Sequence, residues 1–453
     1  MCGITGIISD SNINLLLYES LFHLQHRGQS STGFTIINNN NNIISTKEFE
    51  FKKIKNMNNL EGNIGIGHVR YKTSGNLSIN EIQPFIIDNI ALCHNGNISN
   101  YEKLYNEYKD YIEINSKSDS ELFLKIFNYE LNILNCKILN DSLIVNTIKK
   151  ISDKCNGAYS IIIMIKNYGL ICFKDPYGIR PLIYGKRNNS YVISSESCSI
   201  KNIDFDLIGD IKGGEIIIFK NDISISKYIY SIKIQKPCLF EWIYIARDDS
   251  IINNVSVYES RLKMGEYLAK KIKFEINIDD IDFIIPIPDT SRPSALKISE
   301  ILNIPYREGI IKNRYIGRTF IMDNQNDRKK NLKRKLNVIE KYISNKNIIL
   351  VDDSIVRGNT IKHIINLLYK NNVKNITVVS CAPIIRYQNF YGIDIPTKNE
   401  LISNNMSLNE IEKKLNIKKI IYLSIEEICK SITDLNANIK DFELSVFNGK
   451  YIN

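Results

Sequence analysis

The stretch Ile348 to Thr360, I-I-L-V-D-D-S-I-V-R-G-N-T, most narrows what this chain can fold into. Four apolar residues, Ile348 to Val351, form the short run expected of a strand buried in a parallel sheet. Asp352 and Asp353 follow at once, and the loop after them carries Ser354, Arg357, Gly358, Asn359 and Thr360. Beyond it, Ile361, Ile364, Ile365, Leu367 and Leu368 recur at helical spacing. Strand, acidic pair, glycine loop and helix together aim backbone N–H groups and a helix N-terminus at an anion. The carboxylates beside that cradle can hold ribose hydroxyls or a Mg²⁺-bound polyphosphate. A lone Asp-Asp pair would be an ordinary solvated turn between strand and helix. The whole string is more specific than that.

A chain of 453 residues has room for roughly two or three domains. No basic segment leads into a long apolar run at the N-terminus, so no signal peptide is expected. Apolar stretches such as Tyr159 to Ile165 are broken by Lys166 well short of bilayer length, and no membrane partner is expected. The nine cysteines lack C-x-x-C spacing, which fits a reducing, cytoplasmic location. With five histidines and no H-E-x-x-H, zinc is not indicated. The net charge of +10 is concentrated: Lys312 to Lys335 holds nine Lys or Arg and two Asp, or +7. Such a run is either a solvated face or a site for a local polyanion, and its concentration argues against a nucleic-acid partner. Asn38 to Asn42 reads as a surface loop between strands.

The N-terminus, M-C-G-I-T-G-I, places a cysteine at position 2 at the start of a strand. Removal of Met1 would leave Cys2 with a thiol and a free α-amino group. An α-amine titrates near about 7.7–8.0, suited to act as base for the adjacent thiol. On position alone Cys2 reads better as a small buried residue, but the segments that follow supply what a nucleophile needs and reverse that preference. His26-Arg27-Gly28-Gln29 falls in a turn after a helical segment, Leu15 to Gln25. The strand and loop Gly65 to Gly75 present Arg70, whose guanidinium is either a surface charge or a clamp for a carboxylate. Asn95-Gly96 is either a hairpin turn or an oxyanion hole built from an amide and a glycine N–H. Ser118-Asp119-Ser120-Glu121 resembles a capping box for the helix Leu122 to Leu134, while Asp119 is also suited to a substrate ammonium.

These segments in this order, with D-P-Y-G-I-R-P from Asp175 and S-S-E-S from Ser194, resemble the class II, N-terminal-nucleophile glutamine amidotransferases. The resemblance implies a sandwich of two antiparallel sheets between helical layers. It also implies that Cys2 attacks the glutamine amide and that Asn95 and Gly96 stabilise the oxyanion. Arg70 and Asp119 would bind the substrate's α-carboxylate and α-amino group, with His26 and Arg27 also at the glutamine site.

The pattern changes near Ser231 to Gln235, where a boundary separates residues 2–235 from residues 236–453. Strands and helices then alternate, as in a parallel α/β sheet. The strand Ile281 to Pro288 runs into Asp289-Thr290-Ser291, where Thr290 or Ser291 can cap the next helix or meet a pyrophosphate. The basic stretch from Lys312 can order over that anion and shut out water. This half resembles a type I phosphoribosyltransferase. From Cys2 to about Tyr451 the chain is similar to the amidophosphoribosyltransferase family of purine synthesis, which uses glutamine and phosphoribosyl pyrophosphate (PRPP).

The resemblance implies a PRPP site of Ser291, Lys312, Arg314, Tyr315, Asp352, Asp353, Ser354, Arg357, Gly358, Asn359 and Thr360. One Mg²⁺ per subunit would be held near Thr290, Asp352 and Asp353, and Ile321 would help wall an ammonia path. It further implies purine-nucleotide feedback inhibitors and a homotetramer. One branch of the family carries a 4Fe–4S cluster; here Asn389, Glu443 and Val446 stand at three of its four cysteine positions, with Cys238 at the fourth, so no cluster is expected. Asp248 replaces the proline of the family's A-R-P-D-S, which predicts a looser turn. A glucosamine- or asparagine-forming amidotransferase would lack V-D-D-S-I-V-R-G. A PRPP-sensing regulator would lack Cys2 or add a DNA-reading helix pair.

Overall fold

The computed structural model describes residues 2–51, 60–71, 78–133, 138–313, 336–395 and 397–452. In chain order the first half contributes β1 (Cys2–Ile8), β2 (Ser31–Asn38), β3 (Ile43–Glu48), β4 (Gly62–Arg70), β5 (Phe85–Ile87) and β6 (Ile90–Ile98). It continues through β7 (Gly157–Ile165), β8 (Gly169–Lys174), β9 (Ile183–Arg187), β10 (Ser190–Ser194), β11 (Asp206–Asp210), β12 (Glu215–Lys220) and β13 (Ile225–Ile229). One sheet runs β11-β9-β10-β1-β4-β2-β3 and the other β13-β12-β8-β7-β6-β5, each pairing antiparallel. The period of two along β1 sorts its side chains. Ile4 and Ile8 pack between the sheets with Ile162, Met164 and Phe219, while Ile7 turns outward to Leu17 and Leu21 of the helix Asn14–Phe22. The helices Asp119–Ile133 and Asp141–Ser152 cover the second sheet through Leu122, Phe123, Ile144 and Ile148. The result is the expected helix–sheet–sheet–helix sandwich.

Local details depart from the expectations in two places. The helix at Ser118–Glu121 starts at Asp119, and the Glu121 carboxylate takes the Asn115 N–H and the Ser116 hydroxyl in place of a capping box on Ser118. Asn95-Gly96 is no hairpin turn; both lie inside β6, paired with Ser160 and Tyr159.

The second half opens with a short helical turn, Glu241–Ile245, followed by a hairpin, β14 (Ile251–Ile252) and β15 (Val255–Ser256), and the helix Val257–Glu275. It contributes β16 (Phe283–Pro286), the pair β17 (Ile310–Lys312) and β18 (Leu336–Val338), β19 (Asn347–Asp352), β20 (Asn375–Ser380) and β21 (Lys419–Tyr422). The parallel sheet runs β16-β19-β20-β21. Both its faces are apolar: Ile349, Val351 and Val379 face one core, and Ile348, Leu350 and Val378 the other. That burial accounts for the unbroken Ile348–Val351 run. The chain crosses between the halves with Lys236 N–H on the Tyr177 carbonyl at 2.8 Å and Cys238 N–H on Ile179 at 3.0 Å. No helix among the described residues is long and apolar enough to cross a membrane.

Candidate active site

Two groups of the expected residues come together, one in each half. In the first, register alone places Cys2 opposite Arg70 on adjacent strands β1 and β4. Across from them, the Asn95 side chain on β6 accepts the Cys2 N–H at 3.4 Å. Asn95 is 1% exposed, and its Nδ2 meets no partner among the described residues. A buried amide donor left unused on a side chain that touches the Cys2 backbone is suited to an oxyanion hole. Gly96 is conformationally obligatory: φ is +153°, and a Cβ there would lie 1.9 Å from the Ala158 carbonyl oxygen. Asp119 opens its helix with Oδ2 accepting the Ile98 N–H at 3.0 Å and lying 3.7 Å from His94 Nδ1. The Arg70 guanidinium bonds the Glu81 carbonyl at 3.0 Å. His68, next along β4, is fully buried, and burial first and the Arg70 charge second push it down to about 3. It is therefore neutral at working pH.

Arg27 sits beside Cys2 and faces away from solvent, bonded within the protein. It is fully buried, its Nε bonds the Cys2 carbonyl at 2.9 Å, and its other nitrogens bond Glu196 and Glu241. His26 Nε2 meets the same Glu196 carboxylate at 2.7 Å. Glu196 also receives the Arg247 N–H and the Ser250 hydroxyl. In the turn around Asp248, Arg261 Nη1 bonds the Asp248 carboxylate at 2.5 Å and the Tyr258 N–H bonds its carbonyl at 3.2 Å. Neither Glu241 nor Arg180, the arginine of D-P-Y-G-I-R-P, is a site residue expected from the sequence. The signal was present, since a glutamate amid Leu239, Phe240, Trp242 and Ile243 needs a buried cation.

The second group lies at the carboxyl end of the parallel sheet, where open α/β folds bind ligands. β19 ends at Asp352, which is 8% exposed, with Asp353 half-buried after it. Burial first, and the Asp353 charge second, push Asp352 well above the usual carboxylate range. Asp353 is pushed up to about 6 by burial, against the Ser354 hydroxyl and the Arg261 and Lys312 charges that lower it. Gly358 takes φ +78° at the N-cap of the helix Asn359–Lys370, and Asn359 and Thr360 are exposed on its first turn. Arg357 bonds Glu400 at 3.0 Å. The turn after β16 approaches from one side, and Lys312 at the end of β17 bonds its Asp289 at 2.7 Å. Thr290 is half-buried there. Ser291 is fully buried and donates its hydroxyl to the Ile287 carbonyl at 2.5 Å, so that hydroxyl faces inward and does not cap the helix. Arg314, Tyr315 and Ile321 lie outside the described residues.

Among the described residues no group of three or more His, Cys, Asp or Glu is arranged to hold a metal. Two adjacent hard carboxylates do suit Mg²⁺, which takes only one or two carboxylates when a substrate supplies phosphate oxygens. The cluster positions do not suit iron–sulfur ligation. Cys238 and Glu443 form an isolated bridge, Asn389 Oδ1 accepts the Tyr391 and Ile393 N–H groups, and Val446 is apolar.

Comparison with known proteins finds a matching domain in each half. A glutamine amidotransferase domain model matches residues 68–202, and a phosphoribosyl transferase domain model matches residues 257–405. The amidophosphoribosyltransferase of Pseudomonas aeruginosa is 40% identical over 469 residues, covering 100% of this chain and 93% of that one. That of Saccharomyces cerevisiae is 37% identical over 476 residues, covering 100% and 92%. This chain belongs to the amidophosphoribosyltransferase family. It is a glutamine-dependent transferase of purine biosynthesis. Among solved structures, the glutamine PRPP amidotransferase of B. subtilis complexed with ADP and GMP superposes with a TM-score of 0.87 at 29% identity, covering 99% of this chain and 97% of that one. A second family structure, described as the allosteric regulatory enzyme of purine biosynthesis, gives 0.88 at 29% identity, covering 99% and 96%.

Proposed function

We propose that residues 2–235 release ammonia from glutamine and that residues 236–453 add it to C1 of PRPP, giving 5-phosphoribosylamine, glutamate and pyrophosphate. The unpartnered Asn95 Nδ2 beside Cys2 carries the first part of this reading. With Met1 removed, the Cys2 α-amine takes the thiol proton, and Sγ attacks the glutamine amide carbon. The oxyanion forms against Asn95 Nδ2 and the Gly96 N–H, ammonia leaves, and water hydrolyses the thioester to glutamate. Arg70 and Asp119 hold the α-carboxylate and α-ammonium of glutamine, with His26 nearby. Arg27 acts through the Cys2 carbonyl.

At the second centre the loop Ser354–Thr360 takes the 5′-phosphate on backbone N–H groups and the helix N-terminus. Asp352 and Asp353, with Thr290, would hold one Mg²⁺, which when bound neutralises the departing pyrophosphate. Lys312 exchanges Asp289 for pyrophosphate oxygens, with Ser291 contributing backbone and Arg314 and Tyr315 closing over them. Ammonia attacks C1 as the C1–O bond to pyrophosphate breaks, and the new C1–N amine sheds one proton as pyrophosphate leaves intact; water must be kept out, because ammonium is no nucleophile. We read the protein as a cytoplasmic homotetramer under purine-nucleotide control.

The test is phosphoribosylamine formation from glutamine or from ammonia. Cys2→Ala is expected to lose glutamine use and keep ammonia-dependent synthesis. Equal glutamine activity in both proteins would remove Cys2 from the mechanism.

A further inference from the structure

The nucleophile and the oxyanion donors sit on different sheets, and a chain of buried contacts through the second half joins them. From Cys2 the path runs through its carbonyl to Arg27 Nε at 2.9 Å, then to both oxygens of Glu241 at 2.9 Å each. Glu241 Oε1 also accepts Arg180 Nη1 at 2.9 Å, and Arg180 Nε bonds the Tyr391 carbonyl at 2.8 Å. Arg27, Glu241, Arg180 and Tyr391 are each no more than 2% exposed. Tyr391 belongs to a turn pressed against the oxyanion strand. Asn97 Nδ2 bonds the Phe390 carbonyl at 2.9 Å, and a Cβ on Gly392, at φ +93°, would lie 2.9 Å from the Gly96 carbonyl carbon and oxygen. The Cys2 N–H on Asn95 closes the circuit.

We propose that Glu241 and the Phe390–Gly392 turn are positioning elements of the Cys2 site, so that docking of the phosphoribosyltransferase half sets the spacing between the nucleophile and the oxyanion donors. This rests on the reading of Cys2 as nucleophile. The carboxylate of Glu241 holds two buried guanidinium groups in register, one behind each side of the site, and a buried bidentate pair of this kind fixes geometry closely. The turn abuts Gly96 too tightly for any side chain. The circuit does not include Arg70 or Asp119. Loosening it therefore changes the spacing of groups that act on the tetrahedral oxyanion, while Arg70 and Asp119 keep their own anchors on the Glu81 carbonyl and the Ile98 N–H. Interactions made only in the transition state appear in kcat, and those shared with bound substrate appear in KM.

The experiment measures glutamine hydrolysis and ammonia-dependent synthesis in the full chain for Glu241→Gln and Gly392→Ala, with Cys2→Ala alongside. Glu241→Gln keeps the shape and removes the charge; Gly392→Ala adds one methyl against Gly96. The expected result is a fall in glutamine kcat of about tenfold to 10²-fold, the range for small misplacement of catalytic groups, with glutamine KM and ammonia-dependent synthesis unchanged. If Glu241→Gln fails to fold, Gly392→Ala alone decides. An unchanged glutamine kcat in Gly392→Ala, a rise in KM without loss of kcat, or a parallel loss of both activities would overturn the proposal. Glutamine hydrolysis surviving in Cys2→Ala would instead overturn the underlying reading.

Discussion

Asp352 and Asp353 show what a single pair of residues demands. Both carboxyls are held above their ordinary range, Asp353 at about 6 against 3.8, with burial the leading cause. The folded chain therefore keeps protons that the unfolded chain gives up, so stability from this pair falls as pH rises from about 3.8 through about 6. Replacing the charge removes that penalty. Asp352→Asn/Asp353→Asn should melt at a higher temperature than wild type at neutral pH. The same variant should lose glutamine- and ammonia-dependent synthesis by at least about 10²-fold, since both routes end at PRPP. Calorimetry and the two assays check this; retained synthesis would take the pair out of the site. In wild type, PRPP affinity should strengthen as pH rises through about 6, the window in which Asp353 ionises. Other residues were less legible in the sequence. Arg27 was placed at the glutamine site by the family resemblance, and only the fold shows Glu196 and Glu241 closing on it. Those carboxylates lie 169 and 214 residues away along the chain, beyond any local pattern.

Elements were legible where one physical constraint dominated. β19 was readable because a strand buried on both faces must be apolar throughout. The helix Asn359–Lys370 was readable from Ile361, Ile364, Ile365 and Leu368, all buried. Asn95-Gly96 was ambiguous because the same dipeptide makes hairpin turns, and strand β6 resolves it by pairing through both residues. The Ser118–Glu121 cap failed because Ser116 and Asn115, a step earlier, compete for the Glu121 carboxylate. The loop before Asn359 carries its own prediction. Gly358 holds φ +78°, and a Cβ there would lie 2.4 Å from Ile402 Cδ1. Gly358→Ala should cost about 1 kcal/mol in backbone strain and tilt the first turn of the helix. The expected outcome is a higher KM for PRPP with glutaminase activity untouched; an unchanged PRPP KM would place the 5′-phosphate elsewhere.

At the scale of the molecule, two unrelated architectures share one chain and a common core. Ala158 and Ile179 of the first half pack in the same cluster as Trp242, Val379 and Tyr391 of the second. A continuous interface of that kind suits an enzyme whose first product is a small reactive amine needed at the second site. The sequence showed both halves through their motifs, but nothing in a linear pattern displays how two sheets and a third dock, which arises from pairings across hundreds of residues.

The most direct measurement of the central claim follows the nitrogen itself. Glutamine labelled with ¹⁵N at the amide is given to the protein with PRPP and Mg²⁺, and the ribosylamine is trapped and weighed by mass spectrometry. The account predicts that the label appears on C1 of the ribose, with one glutamate and one pyrophosphate formed per labelled product. Glutamate formed while PRPP stays intact, or a product without the label, would contradict it.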